Sequence, residues 1–171
     1  MLRIIQFCRL LPILILGLQH VASAGELDEY LKLYEGRWVG YFTIHSSANG
    51  FSETFPVEQQ YWLASGKLHG VAVSQRDSGM ESARSTTYIV EGKLISEVTR
   101  GKEVEIFIGV RHDSGILWLP KEMERANDYQ IKETFVVVHG QRLLKTDGFD
   151  TFVHGDGLAH IVYRGELSYK E

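Results

Sequence analysis

Histidine, carboxylate and serine side chains are the groups in this chain that could move protons, hold a metal or attack a carbonyl, and their spacing decides which. Past residue 24 the histidines are His45, His69, His112, His139, His154 and His160. No two of them fall in the H-x-H, H-x-x-x-H or H-E-x-x-H spacing that turns two imidazoles toward one metal. There is no G-x-S-x-G elbow, and Ser114 with His112 and Asp113 makes an ordinary turn cluster. Gly155-Asp156-Gly157 lacks the strand-to-helix setting of a phosphate loop. The single cysteine, Cys8, lies before the apolar run at the start of the chain, so the part past residue 24 has no thiol for catalysis or metal binding. These residues lead to the expectation of a non-enzymatic protein without a resident metal or cofactor.

Two polar side chains sit among apolar neighbours. In Asp128 to Val138, strand alternation puts Tyr129, Ile131, Glu133, Phe135 and Val137 on one face. A carboxylate there is costly unless paired, so Glu133 is expected to meet an arginine such as Arg84, to contact a ligand with a raised pKa, or to turn to solvent on a local twist. His69 shares a face with Val71 and Val73 and reads either as a satisfied structural histidine or as a ligand contact.

The elements that must position these groups are strands. From Arg37 onward, β-branched and aromatic residues alternate with Gly, Asn, Asp and Ser punctuation at the spacing of an all-β barrel or sandwich. Ten strands are expected: Arg37 to His45, Ser52 to Leu63, Lys67 to Gln75, Ser82 to Val90, Lys93 to Thr99, Glu103 to Arg111, Ile116 to Leu119, Asp128 to Val138, Gln141 to Phe152 and Leu158 to Tyr169. Glu91-Gly92, Gly101-Lys102 and His139-Gly140 suit two-residue hairpins, so consecutive strands should be antiparallel neighbours. Pro56 marks a bulge or bend. Lys121 to Asn127 is rich in helix formers and reads as a solvated connector or a turn over a barrel mouth. Before the strands, Glu26 to Tyr34 carries apolar residues at helical spacing. An up-and-down barrel of about ten strands with a short N-terminal helix disposes of the sheet edges, with a two-sheet sandwich as the alternative. Trp38 facing inward would bring Gly40, Phe42 and Ile44 with it and leave Tyr41 outside. By the same logic Val104, Ile106, Ile108 and Val110 point inward, while Phe107 and the carboxylates of Glu103 and Glu105 point to solvent.

The chain has 171 residues, and its start reads as an exported precursor. Arg3 and Arg9 give a basic opening, Leu10 to Leu18 an apolar run, and Ala22-Ser23-Ala24 a small-residue cleavage pattern. That run is well short of the roughly 20 residues of a membrane-spanning helix. The expectation is a signal peptide over residues 1–24, a single domain over 25–171 with no membrane span, and a periplasmic or secreted location. Of 18 Lys and Arg only Arg3 and Arg9 leave with the signal, so 16 face 22 Asp and Glu, a net charge of about −6. Nucleic acid, whose affinity rests on neutralised phosphates, is not an expected partner.

Leu31-Lys32-Leu33-Tyr34-Glu35-Gly36-Arg37-Trp38-Val39-Gly40 resembles the opening of a lipocalin or related calycin domain, where a short helix leads into a G-x-W motif, here Gly36-Arg37-Trp38. The resemblance implies that Trp38 closes the barrel floor and that an arginine of the last strand, Arg164, packs across its ring, a contact of about 0.5–2 kcal/mol. Lacking a disulfide and with about ten strands, the chain is closer to small lipocalin-like domains of exported bacterial proteins, or to fatty-acid-binding and nitrobindin-like barrels, than to ordinary lipocalins. The family implies a lumen for a small apolar or amphipathic molecule, expected here against Trp38, Phe42, Tyr61, His69, Val71, Glu133, Phe135 and Arg164. Two other readings stand beside it. His160, on the final strand, has the place of the haem-ligating histidine of nitrobindin-like barrels. A barrel packed solid could instead meet a protein through outward Tyr41 and Phe107.

Overall fold

The computed structural model describes residues 24–112, 114–122 and 128–171. The expected signal segment, apart from Ala24, and residues 123–127 of the expected mouth connector lie outside the described residues. A helix, α1 (Ala24–Lys32), precedes ten strands: β1 (Gly36–Ser46), β2 (Ser52–Ala64), β3 (Lys67–Arg76), β4 (Gly79–Val90), β5 (Lys93–Arg100), β6 (Glu103–His112), β7 (Gly115–Pro120), β8 (Tyr129–Val138), β9 (Gln141–His154) and β10 (Gly157–Lys170). Each strand pairs antiparallel with its sequence neighbours, and β1 pairs with β10 to close an up-and-down barrel. Closure gives every strand a paired neighbour on both sides, the up-and-down barrel that the sequence pattern predicted.

Tight turns make this topology. Ser65-Gly66, Glu91-Gly92 and His139-Gly140 each place both residues at positive φ, the type I′ shape whose twist matches that of the flanking strands. These turns gather at one end of the barrel, and α1 plugs that end. Leu27, Tyr30, Leu31 and Tyr34, spaced to share one helical face, are all buried against the barrel interior. Burial of each is worth roughly 1.5–3 kcal/mol. The Tyr30 hydroxyl donates to the Ser114 carbonyl at 3.3 Å, and the Arg111 guanidinium lies 4.7 Å from the Tyr30 ring centroid.

The opposite end is the mouth, where the wall loosens at Pro56. The β1–β2 ladder runs unbroken past Pro56 from Gly36↔Tyr61 to His45↔Ser52, so the proline makes no bulge there. The β2–β3 ladder, however, stops at Val57↔Ser74, the residue just after Pro56. Side chains bridge the parted strands instead. Arg76 donates to Glu53 Oε2 at 2.7 Å and 3.1 Å, and the Asp77 amide donates to Glu53 Oε1 at 2.8 Å.

Two strands run in the opposite phase to that expected. On β3 the inward residues are Leu68, Gly70, Ala72 and Ser74, so His69, Val71 and Val73 face outward. On β6 Phe107 and Gly109 are buried and Glu105 lines the mouth, whereas Val104 is 60% exposed and Val110 46%. Register in the closed barrel sets the phase: Gly70 of β3 stands opposite the inward Tyr61 of β2, and Phe107 of β6 opposite the buried Ser96 of β5.

Candidate functional site

The site is the barrel interior, built upward from its floor. Trp38 is fully buried and its Nε1 donates to the Tyr34 carbonyl at 2.7 Å, tying the end of the helix segment to β1. Around it Tyr30, Tyr34, Tyr61, Phe135 and Tyr169 form a continuous edge-to-face cluster, with Phe135 4.7 Å from Tyr34 and 5.6 Å from Trp38. The arginine on this floor is Arg142 of β9, not Arg164. Its guanidinium carbon lies 5.3 Å from the Trp38 centroid and 4.4 Å from that of Tyr169, and Nη2 donates to the Leu33 carbonyl at 2.9 Å. Arg164 stands opposite Thr43, on the outer face, and pairs there with Asp147 at 3.3 Å. Alternation from Trp38 excludes it from the floor.

Above the floor sits Glu133. Its Oε2 accepts hydrogen bonds from the Tyr34 hydroxyl and from Trp118 Nε1, both at 2.7 Å. Arg84, exposed on the outer side of β4, is not its partner. Burial pushes the Glu133 carboxyl above its ordinary range, against the pull of the two hydrogen bonds. Burial, and after it the charge of Glu133, raises Tyr30 to about 12 and keeps Tyr34 and Tyr61 neutral phenols as well. The second oxygen, Oε1, has no hydrogen-bond partner among the described residues; Glu133 presents its open surface to a chamber of about 140 Å³ shared with Tyr34, Tyr61, Trp118, Phe107 and Tyr129.

Glycines make room for these rings. A Cβ on Gly70 would lie 2.6 Å from the Tyr61 ring, and one on Gly109 2.6 Å from Trp118. Each aromatic therefore lies flat across the backbone of the adjoining strand and leaves the centre of the barrel open.

Toward the mouth the lumen widens to about 560 Å³ between Phe42, Ile44, Phe55, Ile131, Ile161, Tyr129 and Tyr163. The two chambers share Arg100, Tyr129 and Ile131 in their walls. Arg76, Glu81, Arg100, Glu105 and Asp150 ring the opening. Arg76 is held by Glu53 and lies 3.7 Å from Glu81, and Arg100 is paired with Glu105. The Arg76 hydrogen bonds, then the Asp77 amide, hold the Glu53 carboxyl below its usual range.

No protein-family model matches this chain, and no curated protein matches it. The chemistry has to be read from the site. Of the residues expected to touch a ligand, Trp38, Phe42, Tyr61, Glu133 and Phe135 converge on the interior, Tyr61 and Glu133 on the lower chamber and Phe42 on the upper. His69 and Val71 do not: His69 stacks on Trp62 outside the barrel, ring centroids 5.8 Å apart. His160 is exposed on the outer face, its Nδ1 2.9 Å from Thr151 Oγ1. Tyr41 is 63% exposed, but Phe107 faces the lumen, so they share no outer patch.

Sequence reasoning missed Tyr34, Trp118, Arg100 and Arg142. Trp118 carried a signal, since it alternates with the apolar Ile116 on a short strand. Tyr34 had one too, at i+7 from Leu27 on the helix face. Nothing local singles out either arginine. Among the described residues no three His, Cys, Asp or Glu side chains gather as a metal site would require. The arrangement can hold an apolar body and accept a hydrogen bond at its inner end.

Proposed function

We propose that this chain is an exported barrel of calycin type that holds a small apolar or amphipathic molecule in its lumen. One observation carries the reading: the interior is not filled by side chains but encloses about 560 Å³ of space under an aromatic and aliphatic wall. Natural small-molecule pockets have this size and this mostly apolar lining, with a few placed polar groups. The G-x-W motif, the helix plug and an arginine stacked on the floor tryptophan support kinship with calycins, although the arginine comes from β9. The basic and apolar opening followed by Ala22-Ser23-Ala24 supports export.

Native mass spectrometry of the purified protein, with displacement of a lumen dye by a lipid panel, tests the binding. A bound small molecule and saturable displacement are the expected results. Ser74 lines the upper chamber, and Ser74→Trp should fill that space and weaken dye binding by at least about tenfold, or about 1.4 kcal/mol, with the fold retained. Absence of any ligand or dye binding by the wild-type protein would overturn the proposal.

A further inference from the structure

The inner end of the lumen carries a carboxyl group with no cation hydrogen-bonded to it among the described residues. One oxygen of Glu133 is satisfied by two neutral donors, and the residue lines the lower chamber. The nearby guanidiniums are engaged elsewhere. Arg100 is bound to Glu105, Arg111 lies over Tyr30 and 3.5 Å from Glu26, and Arg142 lies over Trp38 and Tyr169. A buried carboxylate is tolerated when a cation comes to it, and aromatic rings suit a cation stripped of water. Apart from Glu133, Arg76 and Arg100 are met at the opening by Glu53, Glu81 and Glu105.

We infer that the lumen takes a cationic amphiphile of the primary alkylamine class, its ammonium donating to Glu133 Oε1 between Tyr34, Tyr61 and Trp118, and its chain lying toward Phe42 and Phe55. This rests on the lumen-binding reading above and adds the ligand's charge and orientation. Hydroxyl and carboxylate heads are the competitors. An alcohol could donate to the same oxygen without the charge term, and a carboxylate would meet Glu133 with like charge and seek Arg100 instead.

Calorimetric titration of the lipid-stripped protein with octylamine, octan-1-ol and octanoate separates these cases. Octylamine should bind at least about tenfold more tightly than either competitor. In Glu133→Gln, which keeps an acceptor for Tyr34 and Trp118, that preference should collapse to within about threefold while octan-1-ol affinity holds. Equal binding of the three, tighter octanoate, or an amine preference that survives Glu133→Gln would overturn the inference and leave the lumen reading intact. Failure of all three to bind would overturn the inference, and joined to absence of any dye binding it would sink the lumen reading as well. The wild-type protein gives an independent check: intermolecular NOEs from the amine α-methylene should reach the Trp118 and Tyr61 rings. NOEs confined to Phe55 and Ile161 near the mouth would place the head outward and overturn it.

Discussion

Glu133 concentrates the competing physics of this interior. Desolvation raises its proton affinity, and the hydrogen bonds from Tyr34 and Trp118 recover part of that cost. The folded chain therefore holds this proton more tightly than the unfolded chain. Its contribution to stability is fully present below the unfolded value of about 4.3 and is lost as pH rises through the higher folded value. Glu133→Gln removes the ionisation but keeps an acceptor, so it should raise the melting temperature at about pH 8, with the gain vanishing by about pH 4. An equal gain at both pH values would show that ionisation is not the cause. Glu133→Leu should behave oppositely, destabilising by about 1–3 kcal/mol for each donor left unmet, as chemical denaturation would show. His69 teaches the complementary point: stacked on Trp62 outside the barrel, a histidine in an apolar run needed no ligand.

Contacts between elements differ in how much of the fold they hold. Arg142 joins β9 to the last turn after α1 and covers the floor aromatics, so it acts on three elements together. Arg142→Ala should cost about 1–2 kcal/mol in urea unfolding, whereas Arg164→Ala, from an exposed pair with Asp147, should change stability by less than about 0.5 kcal/mol. Equal effects would mean that the floor stacking is not what matters. At the mouth, Glu53 takes over where the β2–β3 ladder stops at Val57. Its carboxyl is held low, so its stabilisation is present above the ordinary glutamate range and lost as pH falls through the folded value. Glu53→Gln should accordingly have a lower urea midpoint than wild type near neutral pH, with the difference shrinking below about pH 4, opposite in sign to Glu133→Gln.

The closed barrel couples these parts, because strands from all around the wall line the upper chamber. Saturating ligand should stabilise the folded state by about 2.7 kcal/mol at a hundredfold excess over Kd, seen as a rise in melting temperature that Ser74→Trp cuts by at least about half at the same ligand concentration. Strand number, the closing of consecutive strands by two-residue turns and the Trp38 floor were legible in the chain, since each depends on local alternation or on a turn pair such as His139-Gly140. Glu133 could be flagged as an anomaly on an apolar face for the same reason. Its partners could not, because Tyr34 lies 99 residues away and Trp118 on a separate strand. The same limit hid the choice of Arg142 over Arg164 and the phase of β3 and β6. Alternation defines two faces on every strand, but only closure of the barrel decides which face is inside.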